Sequence, residues 1–359
     1  PQLAAFRYIN GQLFAEHLPT AAFDREMREL LLEGCALDWG QISPAIFGAL
    51  FQSVMDAKNR RHLGAHYTSE TNILKLIKPL FLDELWDEFE AVKSNKNKLP
   101  EFHKKISQLK FLDPACGCGN FLVITYRELR LLELEILRAL YKSGQGILDV
   151  REIMLLDVDM MCGIEYEEFP ARIAEVAMWL IDHQMNMQIS NEFGQYFARL
   201  PLKKSAKIVH GNALRVDWEE VVPKKELTHI IGNPPFLGHH MQSEEQKKDL
   251  HFVMQGIKAA GVMDYVTAWY YKASKYIQDT KIKAAFVSTN SVVQGEQVGI
   301  LWSYLLSNFK IKIHFAHRTF KWNNEAKGNA AVYCVIIGFA NFDTNNKYIF
   351  DYEDIKGEA

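Results

Sequence analysis

The sequence predicts an α/β fold in which a mostly parallel sheet is covered by helices on both faces. From Leu109 onward, short apolar runs alternate with stretches in which apolar residues recur at helical spacing. This alternation is typical of strands that are buried on both faces and joined by helices. The length of 359 residues and the 48% hydrophobic content are enough for one large domain and an accessory element.

The part of the chain that precedes this alternation, residues 1–60, is predicted to form a helical subdomain. Ser43 and Pro44 fit the N-cap and the first position of a helix, and apolar residues then recur at helical spacing. A turn of small residues leads into another predicted helix over 71–86. Residues 87–108 are rich in charge, which favours a solvated linker or a surface insertion.

The alternating part of the chain predicts a series of strands and helices. The predicted strands are 110–112, 160–164, 207–210, 229–231, 284–288, 311–315 and 331–339. The predicted helices lie near 120–141, 168–184, 244–258, 263–278 and 296–308. No helix separates the last two strands, so we expect them to form an antiparallel hairpin at the edge of a seven-stranded sheet.

The composition excludes several classes of protein. No run of about 18 apolar residues occurs, and the N-terminus lacks a basic and then apolar pattern, so neither membrane insertion nor secretion is expected. We therefore expect a cytoplasmic protein. The five irregularly spaced cysteines favour reduced thiols, and we expect no structural metal. A net charge of -3 gives no overall attraction to nucleic acid, so DNA binding would depend on local basic patches.

The turn formed by Asn233, Pro234, Pro235 and Phe236 is the most informative motif, and it follows the predicted strand at 229–231. The prolines remove two backbone donors and fix φ, which lets the carbonyl of Pro234 point outward. Together with the side-chain oxygen of Asn233 it can accept hydrogen bonds from one amino group. Such a turn suits the recognition of a planar base, although an ordinary loop has the same local sequence.

A glycine-rich segment, 113–121, lies where the first predicted strand turns into its helix. Gly117 and Gly119 lack a Cβ and allow a ligand to approach the backbone at the carboxyl end of a strand. The segment therefore predicts a cofactor loop, the alternative being a plain turn. An NAD site is disfavoured because the third glycine is missing and the acidic residues Glu133 and Glu135 fall inside the predicted helix.

The next two predicted strands also end in polar residues. Glu165 at a strand end can bind both hydroxyls of a ribose, and the ring of Tyr166 can cover an adenine. Asn212, after the strand at 207–210, can reach an adenine amino group. Each residue alone fits a helix cap or a solvated loop. Together they favour a cofactor that contains adenosine and whose reactive end is not a phosphate.

In this order the motifs resemble those of class I S-adenosylmethionine-dependent DNA methyltransferases of the gamma adenine-N6 group. The motifs are 64–69, 113–121, 165–166, 211–213 and 233–236. The resemblance extends over about residues 60–340 and is closest to the MmeI-like single-chain restriction–modification enzymes, whose upstream signature resembles 8–14 and 44–48. It implies a Rossmann-like sheet, S-adenosylmethionine as the cofactor and double-stranded DNA as the partner.

The resemblance also implies the residues of the site. It assigns Tyr67 and Thr68 to the methionine end of the cofactor, and it assigns the turn at 233–236 to the target adenine. The residues assigned to the cofactor are Tyr67, Thr68, Asp113, Ala115, Gly117, Gly119, Asn120, Phe121, Glu165, Tyr166, Asn212, Ala213 and Asp264. Asn212 stands where members of the family often have Asp. Asp264 either lines the pocket or caps the helix that follows it.

The implied reaction is methyl transfer to N6 of an adenine that has left the duplex, at a cost of a few kcal/mol. Stacking on Phe236 would offset roughly 1 to 3 kcal/mol of this cost. Asn233 and the carbonyl of Pro234 would hold N6 for direct transfer, in which positioning supplies most of the catalysis. No cysteine follows a proline, so the covalent mechanism of cytosine-C5 enzymes is not expected.

A further segment, 315–322, mixes basic and aromatic residues between the last two predicted strands. His317, Arg318, Lys321 and Trp322 are therefore candidates for contacts with DNA. An ordinary surface loop is an equally good interpretation of this composition.

Two other functions remain open. A protein-glutamine N5 methyltransferase also has an Asn-Pro-Pro-aromatic turn, although the motifs at 64–69 and 113–121 favour DNA. A catalytically silent DNA-binding or assembly subunit would keep the same fold. Because the chain begins at Pro1, we expect a fragment with a methyltransferase domain over 61–345 and the start of a target-recognition region over 346–359. Nuclease and target-recognition domains are expected only in a longer chain.

Overall fold

The computed structural model describes residues 22–37, 42–46, 68–141, 150–194, 205–322, 332–354, 357 and 359. Most of the predicted helical subdomain lies outside these residues, as does Tyr67. At the centre is an eight-stranded sheet. The strands are β1 (Phe111–Asp113), β2 (Met161–Glu165), β3 (Lys207–His210), β4 (His229–Gly232), β5 (Lys283–Thr289), β6 (Lys312–Trp322), β7 (Val332–Ala340) and β8 (Tyr348–Phe350).

Helices connect and cover these strands. They are α1 (Arg25–Ala36), α2 (Glu70–Ile77), α3 (Asp83–Val92), α4 (Lys98–Ile106), α5 (Asn120–Leu140), α6 (Val150–Ile153), α7 (Glu168–Phe193), α8 (Trp218–Val221), α9 (Glu244–Val253), α10 (Thr267–Tyr276) and α11 (Glu296–Asn308). None of the helices in the described part of the chain is both long and apolar enough to cross a membrane.

The order of the strands across the sheet is β3-β2-β1-β4-β5-β7-β6-β8. The first five of these are parallel, so their carboxyl ends lie at one edge of the sheet. Successive strands run outward from β1 to β3, and the chain then returns to place β4 on the other side of β1. Right-handed crossovers put α5 and α7 on one face and α10 on the other. The crevice between β1 and β4 is the place where such sheets bind ligands.

The predicted antiparallel hairpin of the last two predicted strands is confirmed, because β6 and β7 pair in antiparallel fashion. β7 lies between β5 and β6 and is antiparallel to both, and the hairpin is not at the edge of the sheet. β8 then pairs with β6 in parallel and forms the edge. The sheet therefore has eight strands rather than seven, and β8 comes from the region that the sequence prediction placed beyond residue 345.

The segment at 87–108 is not the solvated linker that its charge predicts. α3 extends to Val92, and α4 follows with Leu99, Phe102 and Ile106 buried in the core. These apolar residues recur at helical spacing, so one face of α4 packs inward while its lysines stay in solvent. The predicted helix at 71–86 is likewise interrupted by a π-helical turn at Lys78–Leu82.

A buried ion network holds α5 against α7. Arg130 donates from Nη1 to Asp182 Oδ1 (2.8 Å) and from Nη2 to Asn186 Oδ1 (2.8 Å), and its Nε lies 3.0 Å from Glu133 Oε2. His103 of α4 joins the network at 2.9 Å from Glu133. Burial acts to raise the pKa of Glu133, but the bond to His103 and the charge of Arg130 outweigh it and lower the pKa.

Candidate active site

The loop after β1 begins at Asp113, which is 1% exposed. Its Oδ1 accepts a hydrogen bond from the amide of Ala115 (3.0 Å), while Oδ2 is buried with no partner among the residues that the structure describes. Burial raises the pKa of Asp113 to about 8, and the nearby carboxylate of Glu165 acts in the same direction. A Cβ at Gly232, at the end of β4, would lie 2.6 Å from Asp113 Oδ1. The close approach of β1 and β4 here therefore requires glycine.

Glu165 fixes the glycine-rich loop from the end of β2. Its Oε2 accepts from the amide of Gly117 (2.8 Å), and its Oε1 accepts from the amide of Glu167 (2.9 Å). Burial raises the pKa of Glu165. Gly117 and Gly119 adopt φ angles of 54° and 87°, a left-handed conformation that favours glycine. A carboxylate has about four acceptor sites, so Glu165 keeps capacity for the ribose hydroxyls that the sequence analysis assigned to it.

The end of β3 carries Asn212, whose amide is engaged on both sides. Its Oδ1 accepts from the amide of Leu214 (2.9 Å), and its Nδ2 donates to Asp249 Oδ2 (2.7 Å). Asp249, on α9, is buried and also accepts from Arg215 Nε (2.6 Å) and from the hydroxyl of Tyr265 (3.3 Å). The sequence analysis missed Asp249, because no local motif reveals a partner 37 positions away.

Two further predicted residues lie near this strand end. Ala213 is buried, and its carbonyl accepts from Trp218 Nε1 (2.9 Å) and from Lys272 Nζ (2.7 Å). Burial lowers the pKa of Lys272 to about 8. Tyr166, directly after β2, is 54% exposed and leaves its ring accessible to a flat ligand.

Asn233 follows β4 directly and is tied to the segment before α2. Its Nδ2 donates to Thr68 Oγ1 (3.1 Å), and its Oδ1 is buried without a partner in the described chain. Asn120, the first residue of α5, donates from Nδ2 to the carbonyl of Thr68 (3.4 Å). Its Oδ1 is also buried and has no hydrogen-bond partner among the described residues. With Oδ2 of Asp113, three buried acceptors around the ends of β1 and β4 lack donors among the described residues.

The rest of the turn is packed into the protein. Pro234 is buried, Pro235 is half-buried, and Phe236 is 6% exposed and belongs to the hydrophobic core, as does Phe121. The predicted stacking of Phe236 on a base would require its ring to leave this position.

Asp264 anchors the turn from the approach to α10. Its Oδ1 accepts from the amides of Leu237 (2.9 Å) and Val266 (3.2 Å), and its Oδ2 accepts from the hydroxyls of Thr289 and Ser291, each at 3.3 Å. Asp264 therefore bonds to the residue before α10 and to the residue after the turn at 233–236, but the N-cap of α10 is Val266 rather than Asp264. Burial raises the pKa of its carboxyl.

The predicted DNA-binding residues lie within strand β6 rather than in a loop. His317 is buried, stacks on Phe350 at 4.3 Å between ring centroids, and bonds through Nδ1 to the hydroxyl of Tyr352 (2.8 Å). Trp322 is also buried, although it lies an odd number of positions from His317, because a register irregularity between His317 and Phe320 interrupts the alternation of side chains along β6. Arg318 is exposed and pairs with Asp351, and Lys321 is half-buried. Only Arg318 and Lys321 keep surface for a DNA contact in this conformation.

Comparison with known proteins decides the family. The sequence profile of the MmeI DNA-methyltransferase domain matches residues 89–351. The chain belongs to this family. It is 44% identical over 353 residues to DNA methyltransferase A of Bacillus subtilis (strain 168), an alignment that covers 97% of this chain and 40% of that protein.

A solved structure gives the same result. The type IIL restriction–modification enzyme MmeI in complex with DNA matches with a TM-score of 0.94 and 63% identity, covering 99% of this chain and 48% of that one. This chain therefore spans less than half the length of either relative. The predicted class I methyltransferase-like α/β fold and the MmeI-like family are both confirmed. The part of the chain that the structure describes holds no group of three or more potential metal ligands.

Proposed function

We propose that this chain is the catalytic domain of a DNA methyltransferase that transfers a methyl group from S-adenosylmethionine to N6 of adenine. The observation that carries the proposal is the buried Oδ1 of Asn233 at the end of β4, which has no hydrogen-bond donor among the residues that the structure describes. A buried acceptor without a partner is costly and implies a missing donor. The exocyclic amino group of a flipped adenine is such a donor, and the family supplies the class of reaction.

The cofactor assignment is supported by the ends of β1, β2 and β3. Oδ2 of Asp113 and Oδ1 of Asn120 are buried acceptors that suit the ammonium group of a methionine. Glu165 suits the ribose, and exposed Tyr166 suits one face of the adenine. When bound, S-adenosylmethionine supplies an electrophilic methyl group on a sulfonium. The network of Asn212, Asp249 and Tyr265 would then fix the wall of the adenine pocket.

The protein's part in the reaction is positioning. Asn233 Oδ1 and the carbonyl of Pro234 would accept the two N–H bonds of the target amino group and direct its lone pair toward the methyl carbon. Transfer from a bound donor would form the carbon–nitrogen bond as its carbon–sulfur bond breaks, with the electron pair of that bond left on sulfur and a proton released from N6 to solvent. Asp264 holds Leu237 and thereby the end of this turn.

The wider setting follows from the relatives. MmeI is a restriction–modification enzyme whose structure contains DNA, and we propose the same kind of system and a duplex DNA partner for this protein. Target-recognition and nuclease domains would lie outside these residues. Arg318 and Lys321 remain the proposed DNA contacts of this domain, and we expect the protein in the cytoplasm, where its substrate is.

Nucleoside analysis tests the proposal. The protein in its natural length is incubated with labelled S-adenosylmethionine and unmethylated duplex DNA, and the DNA is digested and separated. We expect the label in N6-methyladenine. Label in N4-methylcytosine would overturn the choice of base, and label in protein glutamine would favour the protein-methylating alternative. Cofactor binding without any transfer would favour a silent subunit.

A further inference from the structure

Thr68 lies between Asn120 and Asn233, whose side-chain oxygens have no hydrogen-bond donor among the described residues. Its hydroxyl accepts from Asn233 Nδ2 (3.1 Å), and its backbone carbonyl accepts from Asn120 Nδ2 (3.4 Å). Thr68 is 5% exposed. The two contacts leave from different atoms of one residue, so a change of the Thr68 side chain removes the first and leaves the second.

The orientation of the Asn233 amide matters because its two ends have opposite roles. One end is an acceptor oxygen and the other is an NH2 group with two donors, and the two ends have nearly the same shape. A hydroxyl neighbour can bond to either end, so the target selects the orientation: its N–H groups need an acceptor, which only the oxygen provides. The side chain must also stay in place for that oxygen to meet the target.

We infer that Thr68 is a positioning residue, whose hydroxyl bonds to the Asn233 amide and holds that side chain where its oxygen can reach the target amino group. This inference rests on the proposed function and deepens it, because a site built from fixed acceptors selects a substrate nitrogen that carries hydrogens. It also gives Thr68 a role that differs from the contact with the methionine end of the cofactor that the family resemblance implies. The hydroxyl acts through Asn233 and need not touch the cofactor.

The first test compares Thr68→Val with Thr68→Ser. Valine has the shape of threonine without the hydroxyl, so single-turnover methyl transfer should fall roughly 2- to 12-fold, the range for one neutral hydrogen bond. Serine keeps the hydroxyl and should transfer within about 2-fold of the wild type by the same reasoning. The dissociation constant for S-adenosylmethionine should stay unchanged in both, because the carbonyl of residue 68 still holds Asn120.

Three results would overturn the inference. They are transfer by Thr68→Val at the wild-type rate, equal loss in the serine variant, and a parallel loss of cofactor affinity. If valine prevents folding, Thr68→Ala removes the same hydroxyl and has the same expected outcomes.

A double-mutant cycle separates positioning of Asn233 from a general structural role. In the Asn233→Ala background the amide that Thr68 contacts is absent, so the hydroxyl has no side chain at position 233 to hold. Thr68→Val should then change the residual transfer rate by less than about 2-fold. The difference from its larger effect in the wild type is the coupling energy of two residues that act together. An equal loss in both backgrounds would show that Thr68 acts through the fold instead.

A readout that does not need activity completes the test. In protein labelled with 15N-asparagine, the Asn233 side-chain amide is identified by its absence in Asn233→Asp. Its hydrogens should exchange slowly in the wild type and in Thr68→Ser, and clearly faster in Thr68→Val. Unchanged exchange would overturn the inference. The nucleoside labelled by the wild type reports separately on the proposed function, so either idea can fail alone.

Discussion

Replacing Asn233 should abolish methyl transfer without destabilising the fold. In Asn233→Ala the bond from Nδ2 to Thr68 is lost, at a cost of about 0.5–1.5 kcal/mol. The same change removes the buried Oδ1 that has no partner in the described chain, which relieves about 1–3 kcal/mol. The relief is comparable to the cost or larger, so the net change in the free energy of unfolding should lie between a loss of about 0.5 and a gain of about 2.5 kcal/mol.

The effect on catalysis should be much larger than the effect on stability. Loss of the main acceptor for the target amino group should lower single-turnover transfer by roughly 10²- to 10³-fold, as for removal of one hydrogen-bonding group that stabilises a transition state. Affinity for S-adenosylmethionine should change little, because Asp113, Asn120 and Glu165 are untouched.

The assay combines three measurements on one preparation. These are thermal unfolding, binding of S-adenosylmethionine and single-turnover transfer to duplex DNA. Asn308→Ala makes the same chemical change at an exposed helix end, where the Asn308 side chain donates to the carbonyl of Tyr304, and serves as the matched control. A melting temperature several degrees below that of the wild type would refute the reasoning, since inactivity would then follow from a damaged fold. Parallel loss of cofactor binding would refute the assigned role.

Two further predictions concern buried charges. Arg130→Ala should lower the free energy of unfolding by about 3–5 kcal/mol, because Glu133 and Asp182 lose their buried partner. Replacing the exposed Arg138 on the same helix by alanine should lower it by only about 0–1 kcal/mol. Denaturant titration measures both values, and equal losses would contradict a stabilising buried network. The pKa of Asp113 is raised to about 8, so between about pH 4 and pH 8 the folded chain keeps a proton that the unfolded chain has released. The stabilisation that this proton gives to the folded state is therefore lost as pH rises from about 4 to about 8. The melting temperature of Asp113→Asn relative to wild type should therefore rise across that window, and a constant difference would count against it.

The sequence determined seven of the eight strands in the described part of the chain and the residue types at the ends of β1 to β4. β3 and α11 have the predicted bounds, because a short apolar run between polar turns and a helical spacing are local properties. The motif order at the ends of β1 to β4 was likewise readable, since the ends of parallel strands share one edge of the sheet. The prediction of a solvated linker around α4 was wrong because it relied on the charged composition of the segment. The helical spacing of Leu99, Phe102 and Ile106, which are buried, indicates the helix instead.

Only the tertiary structure decided which groups meet. The contact of Thr68 with Asn233 spans 165 positions and that of Asn212 with Asp249 spans 37, and no local pattern encodes such pairs. The insertion of β7 between β5 and β6 and the edge position of β8 depend on pairing across the sheet, which an apolar run does not specify. The same pairing buries both His317 and Trp322, because the register of β6 against β7 shifts between His317 and Phe320, and no local pattern in the sequence marks that shift. Burial also leaves one side-chain oxygen each of Asp113, Asn120 and Asn233 without a hydrogen-bond partner in the part of the chain that the structure describes.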